Sequence, residues 1–463
     1  MSEPGIPDFS GRRVTVMGLG LFSGGVETVR FLAKRGAEIT VTDLRKAEDL
    51  QESLDEIKNL DCEFHLGGHI DSDFTDTDYV VANPAVPPDS KYLALAREAG
   101  VPVGYEIVLF FRLCPGRIVG VTGSNGKTTT THLTAGLLEA AGAKVHMGGN
   151  VGHSLLNCTD SILPEDLVVL EISSAQLAAL REAGLSPGVG VITNITPNHL
   201  DWHGTFEHYR WSKAGIFASQ KENDAAVLNA DDEESAALEV PGRLLKFGWE
   251  PGEGVAAAVV DNAVAVLENG KWNKVLPVSE VPLPGKFNVM NILAALAAVA
   301  ACDAKISEKL ADAIRSFKAV PHRLENIGTW DRVTYYNDSI ATTPESVIAA
   351  LGAIKGCKIL IAGGYDKGLD YAALALAIEK NAEAVVVTGP AGAKIAAALE
   401  NISAKTPLHQ ATSLREAVLI AIRLAPAGSS VLLSPAAASY DEFRNFMERG
   451  EKFMGWVTEN YKS

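Results

Sequence analysis

Thr122-Gly123-Ser124-Asn125-Gly126-Lys127-Thr128-Thr129 decides the fold of this chain. It follows the β-branched run Arg117 to Val121 and opens a Thr-rich segment that reads as a helix start. Strand, glycine loop, helix is the context of a phosphate-binding loop. Glycines let backbone N–H groups close on phosphate oxygens, and the start of the helix adds partial positive charge. Lys127 would reach the terminal phosphates and Thr128 would hold Mg²⁺. The match is incomplete, because Val121 stands where the first glycine of the common pattern falls. A bare glycine turn before a helix is the competing reading.

Working outward, the same texture recurs. Arg13 to Met17 runs into Gly18-Leu19-Gly20, a helical stretch spans roughly 24 to 35, Gly36 ends it, and Ala37 to Thr42 forms a second strand closing at Asp43. This βαβ pattern predicts a parallel sheet covered by helices. Ser23 replaces the third glycine of a dinucleotide fingerprint, and Asp43 falls where an acidic residue contacts a ribose. Taken alone, this loop is open between a nucleotide site and a structural turn. Leu167 to Ile172 and Val189 to Ile195 read as further buried strands. Between 250 and 280, Asp261-Asn262 and Asn269-Gly270 are hairpin signals. After Pro321 the strand and helix alternation restarts, with strands at Val333 to Tyr336, Lys358 to Ala362, Ala384 to Thr388 and Val431 to Ser434. The expected class is α/β, in three domains: 1–110, 111–319 and 320–463.

Composition narrows the function. The chain has 463 residues, 47% of them apolar, and a formal net charge of −16, so it is globular and has no basic face for nucleic acid. Anionic ligands therefore need local positive sites such as Lys127. The five cysteines are scattered and odd in number, which fits a reducing cytoplasm better than disulfides or a zinc site. Met1 to Ser10 lacks a secretory pattern, and Ile292 to Cys302 is too short to span a bilayer and reads as a buried alanine-rich helix.

Two further candidates carry chemistry. Glu171 closes a strand beside the phosphate loop, a natural Mg²⁺ ligand, with a solvated strand end as the rival. His199 lies in Asn194-Ile195-Thr196-Pro197-Asn198-His199-Leu200-Asp201, where Pro197 would start a helix. It is suited to metal or phosphate work, with a structural histidine as the rival.

These motifs occur in the order of the Mur ligases. With them stand Lys213 in Trp211-Ser212-Lys213-Ala214-Gly215, Gly285-Lys286-Phe287-Asn288, Pro321-His322-Arg323-Leu324-Glu325, Asn337-Asp338-Ser339 and Leu433-Ser434-Pro435-Ala436. The chain resembles the Mur ligase family over essentially its whole length. The resemblance implies a Rossmann-like domain for UDP, a central P-loop domain for ATP and a Rossmann-like C-terminal domain for the amino acid. It implies an ATP-dependent amide-bond ligase that adds glutamate, D-glutamate by the nearest motif likeness, to UDP-N-acetylmuramoyl-L-alanine through an acyl phosphate.

By position, the resemblance gives the ATP phosphates to Gly123, Ser124, Asn125, Gly126, Lys127, Thr128 and Thr129. It gives Mg²⁺ to Thr128, Glu171, His199 and a carbamylated Lys213. Lys127, His199 and Lys213 are the catalytic set. Asn288, Arg323 and Asp338 would contact the nucleotide, and Leu21, Asp43 and Arg45 the UDP portion. Asn150 would contact the muramoyl peptide, while Lys367, Ser439, Tyr440 and Phe446 would line the glutamate site. The implied cofactors are ATP and Mg²⁺. The implied partners are small molecules only, with no nucleic acid or membrane, and the chain is expected to be a cytoplasmic monomer.

The chain departs from the family at Ile340, where many relatives carry lysine, at Asn83-Pro84-Ala85 and at Tyr440. These departures leave open which amino acid, and which hand of it, is used. Other ligases of the same family are one alternative. A nicotinamide-dependent dehydrogenase built on Gly18-Leu19-Gly20 and a non-catalytic nucleotide-binding regulator are alternatives from other classes.

Overall fold

The computed structural model describes residues 8–21, 23–150 and 154–462. Most of the N-terminal stretch read as lacking a secretory pattern therefore lies outside the described residues, as do the side chains of Ser23, Leu200 and Asp201.

Three sheets organise the chain. The first holds β1 (Arg13–Met17), β2 (Glu38–Asp43), β3 (Cys62–Leu66), β4 (Tyr79–Ala82) and β5 (Val103–Tyr105), in the order β3-β2-β1-β4-β5 and all parallel. The order reverses between β1 and β4, where a doubly wound sheet opens a crevice at its carboxyl edge. Gly18-Leu19-Gly20 leaves β1 into the helix Ser23–Lys34, and Gly36, at φ +75°, follows its end.

The second sheet comprises β6 (Arg117–Thr122), β7 (Val145–Gly149), β8 (Leu167–Glu171), β9 (Val189–Ile192), β10 (Ala225–Asn229), β11 (Arg243–Phe247), β12 (Val255–Val260), β13 (Ala263–Glu268) and β14 (Lys271–Pro277). Its order is β14-β13-β12-β11-β10-β9-β6-β8-β7. Strand β13 pairs antiparallel with both β12 and β14, and the remaining pairings are parallel. Asp261 and Asn262 both adopt positive φ, the turn chemistry that a tight hairpin requires. The strands β7, β10 and β11 were not among the elements expected from the sequence.

The third sheet holds β15 (Glu325–Trp330), β16 (Val333–Asn337), β17 (Lys358–Gly363), β18 (Ala384–Thr388), β19 (Leu408–Gln410) and β20 (Ser430–Leu433), in the order β15-β16-β20-β17-β18-β19. Only β15 is antiparallel to its neighbour. Along β17, Ile359 and Ile361 pack in one apolar cluster while Leu360 and Ala362 pack in another. A strand covered on both faces reads as a continuous apolar run, which is why Lys358 to Ala362 was legible.

The chain forms two compact units, Met1–Ser279 with Asn291–Ile314, and Glu280–Met290 with Arg315–Ser463. In the first unit a single apolar cluster runs from Phe9, Val14 and Val16 through Ile107 and Leu109 to Leu170, Ile192 and Leu228, so the first two sheets share one core. The alanine-rich run falls in the helix Lys286–Ala301, whose residues Ile292 to Val299 are completely buried. Among the described residues no helix is long and apolar enough to cross a membrane.

Candidate functional site

The phosphate-loop candidate sits at the carboxyl end of β6, between β8 and β9. Neighbours hold it from behind. Asn194 accepts from the Asn125 N–H (2.9 Å) and donates through Nδ2 to the Asn125 carbonyl (3.0 Å). Thr193 Oγ1 donates to the same carbonyl (2.6 Å), and the Ser124 hydroxyl lies 2.9 Å from Tyr209 Oη. A Cβ on Gly123 would stand 1.8 Å from Thr193 Oγ1, and one on Gly126 2.3 Å from Asn291 Oδ1, so only glycine fits at these two positions. Gly126 then starts the helix Lys127–Ala140 with no side-chain cap and no acidic residue in the first turn. Uncapped N–H groups at a helix start, beside a lysine, fit an anionic phosphate.

Lys127 Nζ folds over the loop, donating to the carbonyls of Gly123 (3.0 Å) and Ser124 (3.1 Å). Thr128, Glu171 and Asn150 are joined directly. Thr128 Oγ1 donates to Glu171 Oε2 (2.7 Å) and Asn150 Nδ2 to Glu171 Oε1 (3.0 Å). Glu171 is only 2% exposed, so it is not a solvated strand end. A buried carboxylate beside a hydroxyl offers the hard oxygen donors that Mg²⁺ takes, the remainder coming from phosphate and water. Among the described residues no group of three or more His, Cys, Asp or Glu side chains is gathered to hold a metal ion. A cation beside the loop would find Glu171 and Thr128 as protein oxygen donors.

Lys213 is buried at 1% exposure in the helix Phe206–Ala214. Its Nζ donates to the Gly123 carbonyl (2.8 Å) and lies 4.8 Å from the Tyr209 ring centre. Burial, with the nearby Lys127 charge, drives its pKa well below the usual lysine value, against the opposing pull of Glu171. Tyr209 is pushed up to about 12 by burial and stays a neutral phenol.

His199 lies on the exposed loop after β9 with φ +51°. The expectation of a helix starting at Pro197 is corrected: the helical turn is Leu200–His203, and Pro197 lies in a bend. The left-handed backbone at His199 is incompatible with a helix running through it.

At the carboxyl edge of the first sheet, Asp43 is buried, and its carboxylate accepts from the N–H groups of Gly20 (3.1 Å) and Arg45 (2.9 Å). Leu21 and Arg45 are exposed there. Gly20 N–H is one of the amides that a dinucleotide pyrophosphate would use, and the chain's own carboxylate takes it.

In the second unit, Asp338 is fully buried. Burial lifts its pKa to about 6, against Ser434 Oγ donating to Oδ2 (2.6 Å) and the nearby Arg323 charge. Among the described residues Arg323 Nε is a buried donor with no partner, which suits a ligand oxygen. Asn288 Nδ2 donates to the Pro284 carbonyl (2.7 Å). Ser439 is buried, Phe446 half-buried, and Lys367 and Tyr440 are exposed. Tyr365 and Tyr440 pack edge to face at 6.0 Å. Ile340 donates its N–H to the His322 carbonyl (3.2 Å).

Sequence reasoning missed three groups. Asn194 and Tyr209 brace the phosphate loop, and Arg449 binds the segments around Ser339 and Ser439. The Arg449 guanidinium is buried and donates to Ser339 Oγ (3.0 Å) and to the carbonyls of Ser339 (2.8 Å), Ala437 (3.0 Å) and Ala438 (3.0 Å). Burial brings its pKa down to about 10. Asn194 opens a quoted motif and could have been weighed. Arg449 sits on a helix with no local signal.

Family models match along the chain: a Mur ligase MurD-like N-terminal domain over residues 12–104, a Mur ligase middle domain over 121–299 and a Mur ligase glutamate ligase domain over 322–437. Among curated relatives, the UDP-N-acetylmuramoylalanine–D-glutamate ligase of Roseiflexus sp. (strain RS-1) is 42% identical, covering 96% of this chain and 98% of its own. The protein of that name from Acidobacterium capsulatum is 38% identical, covering 97% of each chain. Among solved structures, UDP-N-acetylmuramate-alanine ligase MurC from Thermotoga maritima aligns with TM-score 0.64 at 19% identity, over 97% of this chain and 100% of that one. MurF ligase from Thermotoga maritima in complex with ADP aligns with TM-score 0.61 at 19% identity, over 97% and 99%. At these identities the structural matches speak for the fold alone.

Proposed function

The chain belongs to the Mur ligase family, and from that premise we propose that it joins D-glutamate to UDP-N-acetylmuramoyl-L-alanine, using ATP, through an acyl phosphate. The observation that carries the reading is the set Lys127, Thr128, Glu171 and Lys213 around one glycine loop, in a chain matched end to end by ligases named for this reaction.

A carboxylate does not condense with an amine unaided, because its oxygen is a poor leaving group. Phosphorylating the alanyl carboxylate supplies a good one, and the glutamate amine then displaces phosphate. Such transfer calls mainly for alignment and charge neutralisation. Lys127 supplies positive charge at the loop, and the uncapped helix start adds N–H donors. Mg²⁺, when bound, supplies charge neutralisation and oxygen coordination. Glu171 and Thr128 would hold one Mg²⁺, and His199 with a carbamylated Lys213 a second. Lys213 fits the carbamate role because burial lowers its pKa and so favours the neutral amine, the form that reacts with CO₂, and a carbamate is an anionic oxygen donor.

Leu21, Asp43 and Arg45 face the UDP portion, and Asn150 the muramoyl peptide. Asn288, Arg323 and Asp338 serve the nucleotide, and Lys367, Ser439, Tyr440 and Phe446 the amino acid. The corresponding domains are 1–110, 111–319 and 320–463, working as a monomer. A reducing cytoplasm suits the five free cysteines.

The test is phosphate release with ATP, Mg²⁺ and UDP-N-acetylmuramoyl-L-alanine, adding D-glutamate, L-glutamate or other amino acids separately. Release that requires D-glutamate is expected. Release only with another amino acid would keep the chemistry and move the specificity, with Ile340 the first position to examine. No release with any of them would sink the proposal.

A further inference from the structure

We propose that Asn150 positions Glu171 for the divalent cation, and so sets the metal and nucleotide affinity of the site before any muramoyl substrate binds. The inference rests on the nucleotide-site reading above and adds a role distinct from contact with the muramoyl peptide.

The argument starts from register. Strand β7 pairs with β8 so that Gly149 lies opposite Glu171, which brings Asn150 to the carboxylate. The approach is unusually close. A Cβ on Gly149 would stand 2.3 Å from the Glu171 carbonyl oxygen, and Gly149 has φ +101°, a conformation suited to glycine. The Asn150 N–H then donates to that carbonyl (2.8 Å), and its Nδ2 to Glu171 Oε1 (3.0 Å).

A glutamate side chain has three torsions, so a single partner leaves the plane of its carboxylate free to turn. Here the two oxygens have separate donors, Asn150 on Oε1 and Thr128 on Oε2 (2.7 Å). The two donors differ in what a cation does to them. Thr128 lies on the phosphate-loop helix, where its hydroxyl becomes a ligand when the cation binds. Were it to ligate the cation, its bond to Oε2 would be given up, and Asn150 would remain as the side-chain donor that orients the carboxylate. The residue type suits this task. A carboxamide orients the oxygen without adding charge. A lysine there would compete with the cation, and an aspartate would repel Glu171. Asn150 is itself exposed.

Partners that orient a metal ligand contribute roughly 10- to 100-fold in metal affinity. The full chain is titrated calorimetrically with Mn²⁺ and ADP as probes and no muramoyl substrate. Asn150→Ala is expected to weaken Mn²⁺–ADP binding about 10-fold. Asn150→Ser keeps a short hydrogen-bonding group and the backbone bond. It is expected to fall between, and it serves as the measured variant should the alanine form not fold. Wild-type Mn²⁺–ADP affinity in the variants, with only the KM for the muramoyl substrate raised, would overturn the positioning role alone. Absence of Mn²⁺–ADP binding by the unmodified chain would overturn the nucleotide-site reading and this role with it.

Discussion

Two glycine loops leave parallel strands of the same compact unit, and their amides meet different acceptors, a carboxylate at one and neutral oxygens at the other. At Gly18-Leu19-Gly20 the Gly20 N–H is bound by the buried carboxylate of Asp43. At Gly123 to Lys127 the N–H groups of Ser124 and Asn125 go to neutral oxygens of Asn194, Thr193 and Asn194 donate to the Asn125 carbonyl, the helix start carries no side-chain cap, and two lysines converge on the Gly123 carbonyl. The first loop is neutralised from within. The second is held by neutral groups and keeps the Lys127 charge, inside a chain of net charge −16. Similar backbone patterns therefore predict different ligands, a large polar molecule reached by side chains at the first and a polyphosphate at the second.

The largest effect that would break this contrast is at Lys127. Lys127→Ala removes the charge aimed at the phosphates and leaves the braced loop in place. Turnover, measured as phosphate release, is expected to fall about 1,000-fold, in the range set by losing one preorganised electrostatic donor. The thermal unfolding midpoint is expected to stay close to that of the parent. Near-normal turnover would remove the second loop from the chemistry.

A smaller effect sharpens the picture of Lys213. Its native pKa is depressed by burial, while in the unfolded chain it is near 10.4. Between these values the unfolded chain holds the additional proton, so stability rises with pH across that window and burial of the lysine is most costly below it. In CO₂-free buffer, Lys213→Met is expected to be more stable than the parent at neutral pH. The difference should shrink towards pH 10, with a slope of up to about 1.4 kcal/mol per pH unit. Parallel stability profiles by urea unfolding would contradict a buried, depressed amine. In buffer with bicarbonate, native mass measurement of the parent is expected to show one added CO₂, lost in the variant.

How much of this was legible depended on whether the cause was local. The glycine loops announced themselves because positive φ and close backbone approach restrict residue choice. The turn at Asp261-Asn262 was readable for the same reason. The strand expected over Val189 to Ile195 ends at Ile192, and beyond it the side chains of Thr193 and Asn194 turn to the phosphate loop. Strand β10, Ala225–Asn229, is completely apolar up to its last residue, yet short enough to pass for part of a helix. In the site, Glu171 and Lys213 were found through motifs. Their surroundings were not legible, because the bonds from Thr128 and Asn150 to Glu171 span 43 and 21 residues. Arg449 reaches Ser339 across 110 residues, a separation at which no pattern in one sequence signals contact.

The smallest expected effect concerns the first loop and tests its independence from the second. Asp43 accepts two backbone N–H groups, from Gly20 on Oδ2 and Arg45 on Oδ1. Asn at this position keeps one acceptor and turns its NH₂ towards a donor, so one of the two bonds is lost along with the charge. A hydrogen bond to a charged group is worth roughly 1.5–3 kcal/mol, and partial solvation of this loop places Asp43→Asn near the lower figure. The expected outcome is a loss of about 1.5 kcal/mol in urea unfolding, a raised KM for the uridine substrate and unchanged Mn²⁺–ADP affinity. The last quantity tests the comparison, since the amides of the second loop owe nothing to Asp43. Were the substitution to weaken nucleotide binding as much as uridine binding, the apolar core shared by the two sheets would be transmitting strain between the loops. The two sites would then be one coupled system.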